Sequence, residues 1–207
     1  MELHVSVLPQ YQLKLFEELA AKQFINDFYL AGGTCLGLHI GHRQSIDFDF
    51  FIASDFNTSA IIEKLSDIGD YERENEEINT INGSLNGVRI SFFGYKYKLL
   101  ETCSAYGSIQ MAGLKDIAAM KLEAIAGRGS KKDFIDLFFL LRIFTLDELF
   151  EFHAIKYGAG LSNQYHHLKS LVYFADAENE AMPVMKEKVT WEQVKKVIIQ
   201  KTKQFKL

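Results

Sequence analysis

Two aspartates, Asp47 and Asp49, stand two residues apart in the segment Ser45-Ile46-Asp47-Phe48-Asp49-Phe50-Phe51. Polar and apolar residues alternate there, which predicts a strand with both carboxylates on one face and Ile46, Phe48 and Phe50 turned into the core. Carboxylates this close repel unless water or a cation separates them. A hard divalent ion such as Mg²⁺, or Mn²⁺, removes the repulsion and leaves positions open for phosphate oxygens. The exposed face of an edge strand has the same pattern, so the pair alone does not define a site.

The preceding segment supplies a partner for that strand. Phe28 to Ala31 is a short apolar run that reads as a buried strand, and it ends at Gly32-Gly33-Thr34, where a short helix through Leu36 and Leu38 is predicted. Glycines let the backbone approach an anion, and the exposed N–H groups of a helix start are donors for phosphate. Thr34 adds a hydroxyl. His42, Arg43 and Ser45, between the turn and the carboxylates, add cationic and hydroxyl groups suited to a polyphosphate.

Further along, two helices carry charges where apolar residues belong. In the helix from Leu114 the apolar stripe runs Leu114, Ile117, Ala118, then Lys121, then Ile125, so Lys121 falls on the inward face. The next helix is apolar nearly all round from Phe134 to Phe144, yet contains Asp133 and Asp136. Asp133 favours the helix start electrostatically, whereas Asp136 lies deeper. A buried ammonium needs an anion. Lys121 and Asp136 are therefore either a buried structural pair or two halves of one site.

Together these residues resemble a known family. Gly32-Gly33-Thr34, then His42-Arg43-x-Ser45-x-Asp47-x-Asp49-Phe50-Phe51, is similar to the nucleotide-site signature of the AbiEii/AbiGii-type nucleotidyltransferase toxins, within the DNA polymerase β-like superfamily. Leu114-Lys115-Asp116-Ile117-Ala118-Ala119-Met120-Lys121, Arg128 and Lys132-Asp133-Phe134-Ile135-Asp136 resemble its downstream motifs, so the match spans residues 28–142. The resemblance implies that Asp47 and Asp49 are metal ligands and that Gly33 and Thr34 hold triphosphate. It also implies that Lys121 and Asp136 complete the site, that a nucleoside triphosphate is the donor with tRNA as a candidate acceptor, and that the chain belongs to a toxin–antitoxin or phage-defence pair with an antitoxin protein as candidate partner. One departure stands out: related enzymes often carry a third carboxylate on a neighbouring strand, where Val88-Arg89-Ile90-Ser91-Phe92-Phe93 offers Arg89 and Ser91. Glu74, Glu76, Glu77 and Asp136 are the candidate substitutes.

These residues are positioned by elements that the patterning makes visible. A helix is predicted from Pro9 to Phe24, and Asn57 caps another that extends to Ile68. Residues 71–95 predict two or three antiparallel strands, with Asn82-Gly83 and Asn86-Gly87 as competing turns. Everything after Gly107 reads as mainly helical, with helices over 114–126, 131–144, 146–157, 163–175 and 190–204. The last opens on a capping box, Thr190 and Gln193. Gly158-Ala159-Gly160 reads as a loop joining helices. The predicted class is α/β (α+β): a mixed β-sheet flanked by helices over residues 1–105, then a helical region over 106–207 that completes the nucleotide site.

Composition bounds the alternatives. The 207 residues are 48 % hydrophobic and 24 % charged, which suits a packed globular chain. A net charge of −4 argues against a globally basic nucleic-acid binder. No apolar run reaches the ~20 residues of a membrane span, and Met1-Glu2-Leu3-His4 does not open a secretory signal, so a cytoplasmic location is expected. Cys35 and Cys103 are read as free thiols, His166-His167 as a surface pair, and the histidines show no zinc-ligand spacing. Charge is uneven: residues 186–207 hold seven lysines against two acids. This marks either a surface for an anionic partner or the solvated face of a terminal helix. The functional expectation is an Mg²⁺-dependent nucleotidyltransferase. The alternatives are a degenerate module that binds nucleotide or a partner without turnover, and a phosphotransferase.

Overall fold

In the computed structural model, which describes residues 3–158 and 164–206, the alternating and continuous apolar runs assemble into one mixed sheet. Its strands are β1 (Tyr29–Ala31), β2 (Asp47–Ile52), β3 (Tyr71–Glu77), β4 (Thr80–Leu85), β5 (Val88–Gly94), β6 (Ser104–Tyr106) and β7 (Ile109–Met111), in the order β3-β4-β5-β2-β1-β7-β6. Strand β2 is antiparallel to β1 and parallel to β5, and β1 is parallel to β7. Helices α1 (Gln10–Ala20), α2 (Gly32–Ile40) and α3 (Thr58–Ser66) belong to the same unit, Met1–Lys98 with Thr102–Gly113.

The core of this unit is aromatic. Phe48 and Phe50 alternate with the two aspartates of β2 and are fully buried. Phe50 stacks on Phe92 of β5 at 5.2 Å between ring centroids, and Phe48 on Phe16 of α1 at 5.8 Å. Burying a side chain of this size contributes about 1.5–3 kcal/mol, so the apolar face fixes the register that presents Asp47 and Asp49 on the other. Ile46 does not follow the expectation. It precedes β2 and is 53 % exposed, because the alternation becomes a strand only from Asp47.

The hairpins resolve the competing turn signals. Asn86 (φ 51°) and Gly87 (φ 76°) join β4 to β5, with positive φ at both positions as a tight two-residue turn requires. Asn82-Gly83 is not a turn but lies inside β4, where a Cβ on Gly83 would sit 2.5 Å from the Glu72 carbonyl oxygen of β3. The β3–β4 turn falls at Ile78-Asn79 instead. A second correction concerns β6 and β7: the sequence after Gly107 reads as helical, yet these strands, three residues each, pair around Gly107 (φ 57°). The boundary expected near residue 105 thus falls inside β6. Helix α1 also ends earlier than Phe24, and a short 3₁₀ helix, Gln23–Asp27, follows it.

The second unit, Leu99–Glu101 with Leu114–Leu207, is helical. It contains α4 (Leu114–Gly127), α5 (Lys131–Leu140), α6 (Leu146–Tyr157), α7 (Gln164–Leu171) and α8 (Trp191–Gln204). Thr145 and Thr190 each form a full capping box, with Glu148 and Gln193 respectively. Fully or nearly fully buried Phe134, Leu137, Leu149, Val194 and Ile198 build its core. The segment 99–101 is held by Asp116, which accepts from the Leu100 and Glu101 N–H groups at 3.0 and 3.2 Å and pairs with Lys156 at 2.6 Å. Of the expected Gly158-Ala159-Gly160 loop, Ala159 and Gly160 lie outside the described residues.

Candidate active site

The glycine turn and the carboxylate strand meet through β1. Strand β1 pairs Ala31 with Asp49, so Gly32, the next residue, opens α2 directly beside that carboxylate. Gly32 has φ 71°, a conformation that costs glycine little. A Cβ there would lie 2.7 Å from Asp49 Oδ2. A Cβ on Gly33 would collide with Arg43 Nη2 and come within 3.3 Å of Ser45 Oγ. Residues 32, 33, 43, 45 and 49 are thus gathered within one unit, and a side chain at either glycine would displace Asp49 or Arg43.

Arg43 and Ser45 are buried, although the segment from Gly41 to Ile46 forms no regular element of length. Arg43 Nη1 donates to the Gln44 carbonyl at 2.9 Å, which fixes the guanidinium beside the glycine turn. Thr34 is buried, and its hydroxyl donates to the Asp47 carbonyl, tying α2 to the start of β2. Its side-chain proton is therefore spent on positioning the strand, while its backbone N–H belongs to the helix start. First-turn N–H groups lack an intrahelical partner. Beside a buried guanidinium they make a donor set for an anion.

Asp47 and Asp49 share the half-buried face of β2, as the spacing requires. Their parallel neighbour β5 pairs Asp47 with Arg89 and Asp49 with Ser91. The residue beside Asp49 on this neighbouring strand is thus a serine, buried at that point. None of the three glutamates weighed as substitutes supplies a third acid simply. Glu74 lies 3.6 Å from Arg89, Glu76 pairs with Arg73 at 2.7 Å, and Glu77 accepts from Asn75. Two carboxylates and a hydroxyl are hard-oxygen donors of the kind that suits Mg²⁺ or Mn²⁺, an ion that normally keeps positions for water and phosphate.

Lys121 and Asp136 lie in the helical unit and are brought together. Lys121 Nζ is 2.6 Å from Asp136 Oδ2 and 2.9 Å from Asp133 Oδ1, all three side chains buried. Asp133, which the sequence reading assigned to the helix dipole, is the centre of this network. It also takes Arg128 Nε at 2.8 Å and the Ser130 hydroxyl at 2.7 Å. Burial would raise its carboxyl, but Lys121, Arg128 and Ser130 prevail and hold it far below the ordinary carboxylate range.

A third cluster was not anticipated. His167 is buried, so the expected surface pair is corrected: only His166 is exposed. His153 of α6 and His167 of α7 converge with Glu123 of α4. The two Nε2 atoms lie 2.5 and 3.2 Å from one oxygen, Glu123 Oε1. Burial lowers the His153 pKa against the opposing pull of Glu123, so its neutral form is favoured.

The arrangement of a mixed sheet, a carboxylate pair on its central strand and a glycine turn opening a helix beside them defines the class: a nucleotidyltransferase fold. Comparisons agree. The chain resembles JHP933 of Helicobacter pylori, with a TM-score of 0.58 and 16 % identity over 95 % of this chain and 92 % of that one. It also resembles the nucleotidyltransferase toxin MenT4 of Mycobacterium tuberculosis, with a TM-score of 0.57 and 13 % identity over 98 % and 88 %. In sequence it is 38 % identical to protein aq_aa25 of Aquifex aeolicus, across 96 % of this chain and 97 % of that protein. Residues 14–104 match the model of the nucleotidyl transferase AbiEii toxin of type IV toxin–antitoxin systems.

Proposed function

We propose that this chain moves a nucleoside monophosphate from a nucleoside triphosphate to an acceptor hydroxyl, with RNA, and tRNA in particular, as acceptor. It would act in the cytoplasm as the toxin of a pair whose antitoxin is a protein. The observation that carries the reading is the approach of Arg43 and Asp49 to the two glycines, so close that neither glycine has room for a Cβ. That packing sets a guanidinium, the N–H groups of a helix start and the Asp49 carboxylate close together in the sheet unit.

In this reading the N–H groups of Gly32, Gly33 and Thr34 and the guanidinium of Arg43 bind the triphosphate, with Ser45 Oγ beside them. The acceptor oxygen attacks the α-phosphorus, its hydroxyl proton passing to water, as the bond from that phosphorus to the oxygen bridging to the β-phosphate breaks and pyrophosphate leaves with that oxygen. Arg43, buried and already oriented by Gln44, stabilises the charge gathering on the leaving group without reorganising. Asp47 and Asp49 would hold Mg²⁺ or Mn²⁺, which supplies neutralisation of phosphate charge when bound. Lys121 and Asp136 stay in the proposed catalytic set. Their mutual ion pair also supports a structural role, which stability measurements separate.

Ser91 beside Asp49 favours a second reading, a module that binds nucleotide without turnover. Incubating the chain with cellular RNA and α- or γ-labelled nucleoside triphosphates distinguishes them. Nucleotidyl transfer puts α-label on the RNA and loses it in Asp47→Asn/Asp49→Asn. Label from the γ position means phosphoryl transfer, and no label with retained nucleotide binding means the module.

A further inference from the structure

The geometry points to a divalent transition-metal site built from Glu123, His153 and His167, separate from the carboxylate pair of the sheet unit. Three helices contribute one ligand each, α4, α6 and α7, and all the side chains lie within the helical unit. One nitrogen from each imidazole and one carboxylate oxygen lie within 4.8 Å of one another. Metal–nitrogen and metal–oxygen bonds of ~2.1 Å, in tetrahedral geometry, put neighbouring ligand atoms about 3.4 Å apart. The separation from His167 Nε2 to Glu123 Oε1, 3.2 Å, already matches. The His153 Nε2 separation, 2.5 Å, needs to open by less than 1 Å, roughly a small torsion of the glutamate.

Donor chemistry selects the ion. Two imidazoles and one carboxylate suit Zn²⁺ and its neighbours in the first transition row, and are a poor set for Mg²⁺, which prefers oxygen. Burial is arranged suitably too. Both histidine rings are buried and packed 4.4 Å apart between centroids, whereas the Glu123 side chain is 44 % exposed. The rings are thereby held in place, and Glu123 is the ligand that faces solvent. Three protein ligands with one open position is a known zinc arrangement. Positions 123, 153 and 167 have none of the short spacings by which zinc ligands are recognised along a chain.

An ion there would fasten α7 to α4 and α6. Its binding free energy would then add to the stability of the helical unit. The test uses the full-length chain without a histidine tag, stripped by a chelator and titrated with ZnCl₂ in excess Mg²⁺, so that hard-oxygen sites are filled. The expected result is one Zn²⁺ per chain, a higher melting temperature on zinc addition, and intense visible bands on substitution by Co²⁺. Glu123→Gln and His167→Gln should each weaken zinc binding by about tenfold or more and abolish the thermal shift. Glu123 is half-exposed, so Glu123→Gln keeps the test decisive if the histidine variant fails to fold. Asp47→Asn/Asp49→Asn should leave zinc binding unchanged. Zinc binding that is absent, that survives Glu123→Gln at wild-type affinity, or that disappears with Asp47→Asn/Asp49→Asn overturns the assignment. A trio held by hydrogen bonds alone would give the first of these results.

Discussion

A methyl group at position 33 enters space already occupied by the Arg43 guanidinium, whose burial leaves it little room to retreat. Overpacking of this kind costs about 1–3 kcal/mol. The larger consequence is expected in binding, since Arg43 would move away from the turn it faces. Gly33→Ala should therefore weaken triphosphate affinity about tenfold while the chain remains folded, as calorimetric titration and a thermal melt on the same sample would show. Arg43→Lys should lose a similar factor, because an ammonium cannot reproduce the planar fork of a guanidinium. If Gly33→Ala binds triphosphate at wild-type affinity, the glycine turn is only a turn. At Gly32 alanine meets two obstacles, a positive φ and the Asp49 carboxylate, so Gly32→Ala should be the more damaging variant.

Among elements, the join of α4 and α5 gathers several charges around buried carboxylates. Lys121 stands between Asp133 and Asp136, and Arg128 and Ser130 complete the shell of Asp133. Removing one partner leaves a buried charge uncompensated, at about 3–5 kcal/mol. Lys121→Met is expected to cost stability on that scale, and Asp136→Leu in the same chain to recover part of it, measured by urea unfolding. Lys121→Met that melts like wild type yet binds triphosphate weakly would instead favour a phosphate contact. Acid provides a second measurement. The folded-state pKa of Asp133 lies below its unfolded value, so its contribution is present at neutral pH and drains away as pH falls below about 4. Asp133→Asn should flatten the acid limb of the stability profile in that window. An unchanged limb would remove Asp133 from the network's energetics.

Over the whole molecule, charge is distributed unevenly. The chain is net acidic, yet residues 193–207 hold five lysines and no acid. Helix α8 buries Val194 and Ile198 and leaves Lys196 and Lys203 exposed, with Lys195 engaged by Glu178 and Glu192 and lying over the Trp191 ring. An RNA acceptor captured along such a helix would release counterions, giving a salt slope of about −0.7 per phosphate contact. Changing Lys195, Lys196, Lys201, Lys203 and Lys206 to Gln should therefore lower tRNA affinity and make it less salt-dependent. Wild-type affinity and slope in that variant would leave α8 no part in RNA capture. Among the described residues no helix is long and apolar enough to cross a membrane.

The sequence by itself determined the parts that depend on short-range order. Period-two alternation at Asp47–Phe51 fixed a strand face, Asn57 and Thr190 capped the helices they precede, and Lys121 and Asp136 stood out against apolar stripes. These signals are local, and each residue's neighbours along the chain carry them. Pairing across the sheet was left to the tertiary structure, which chose Asn86-Gly87 over Asn82-Gly83 as the turn and set Ser91 rather than an acid beside Asp49. Strands β6 and β7 escaped notice because three residues are too few to show a period, and they exist through their pairing with each other and with β1. Asp133 looked like a helix-start residue until folding surrounded it with Lys121, Arg128 and Ser130. Glu123, His153 and His167 became neighbours only when three helices packed. Periodicity tells which face of a helix is buried, and only packing decides what that face meets.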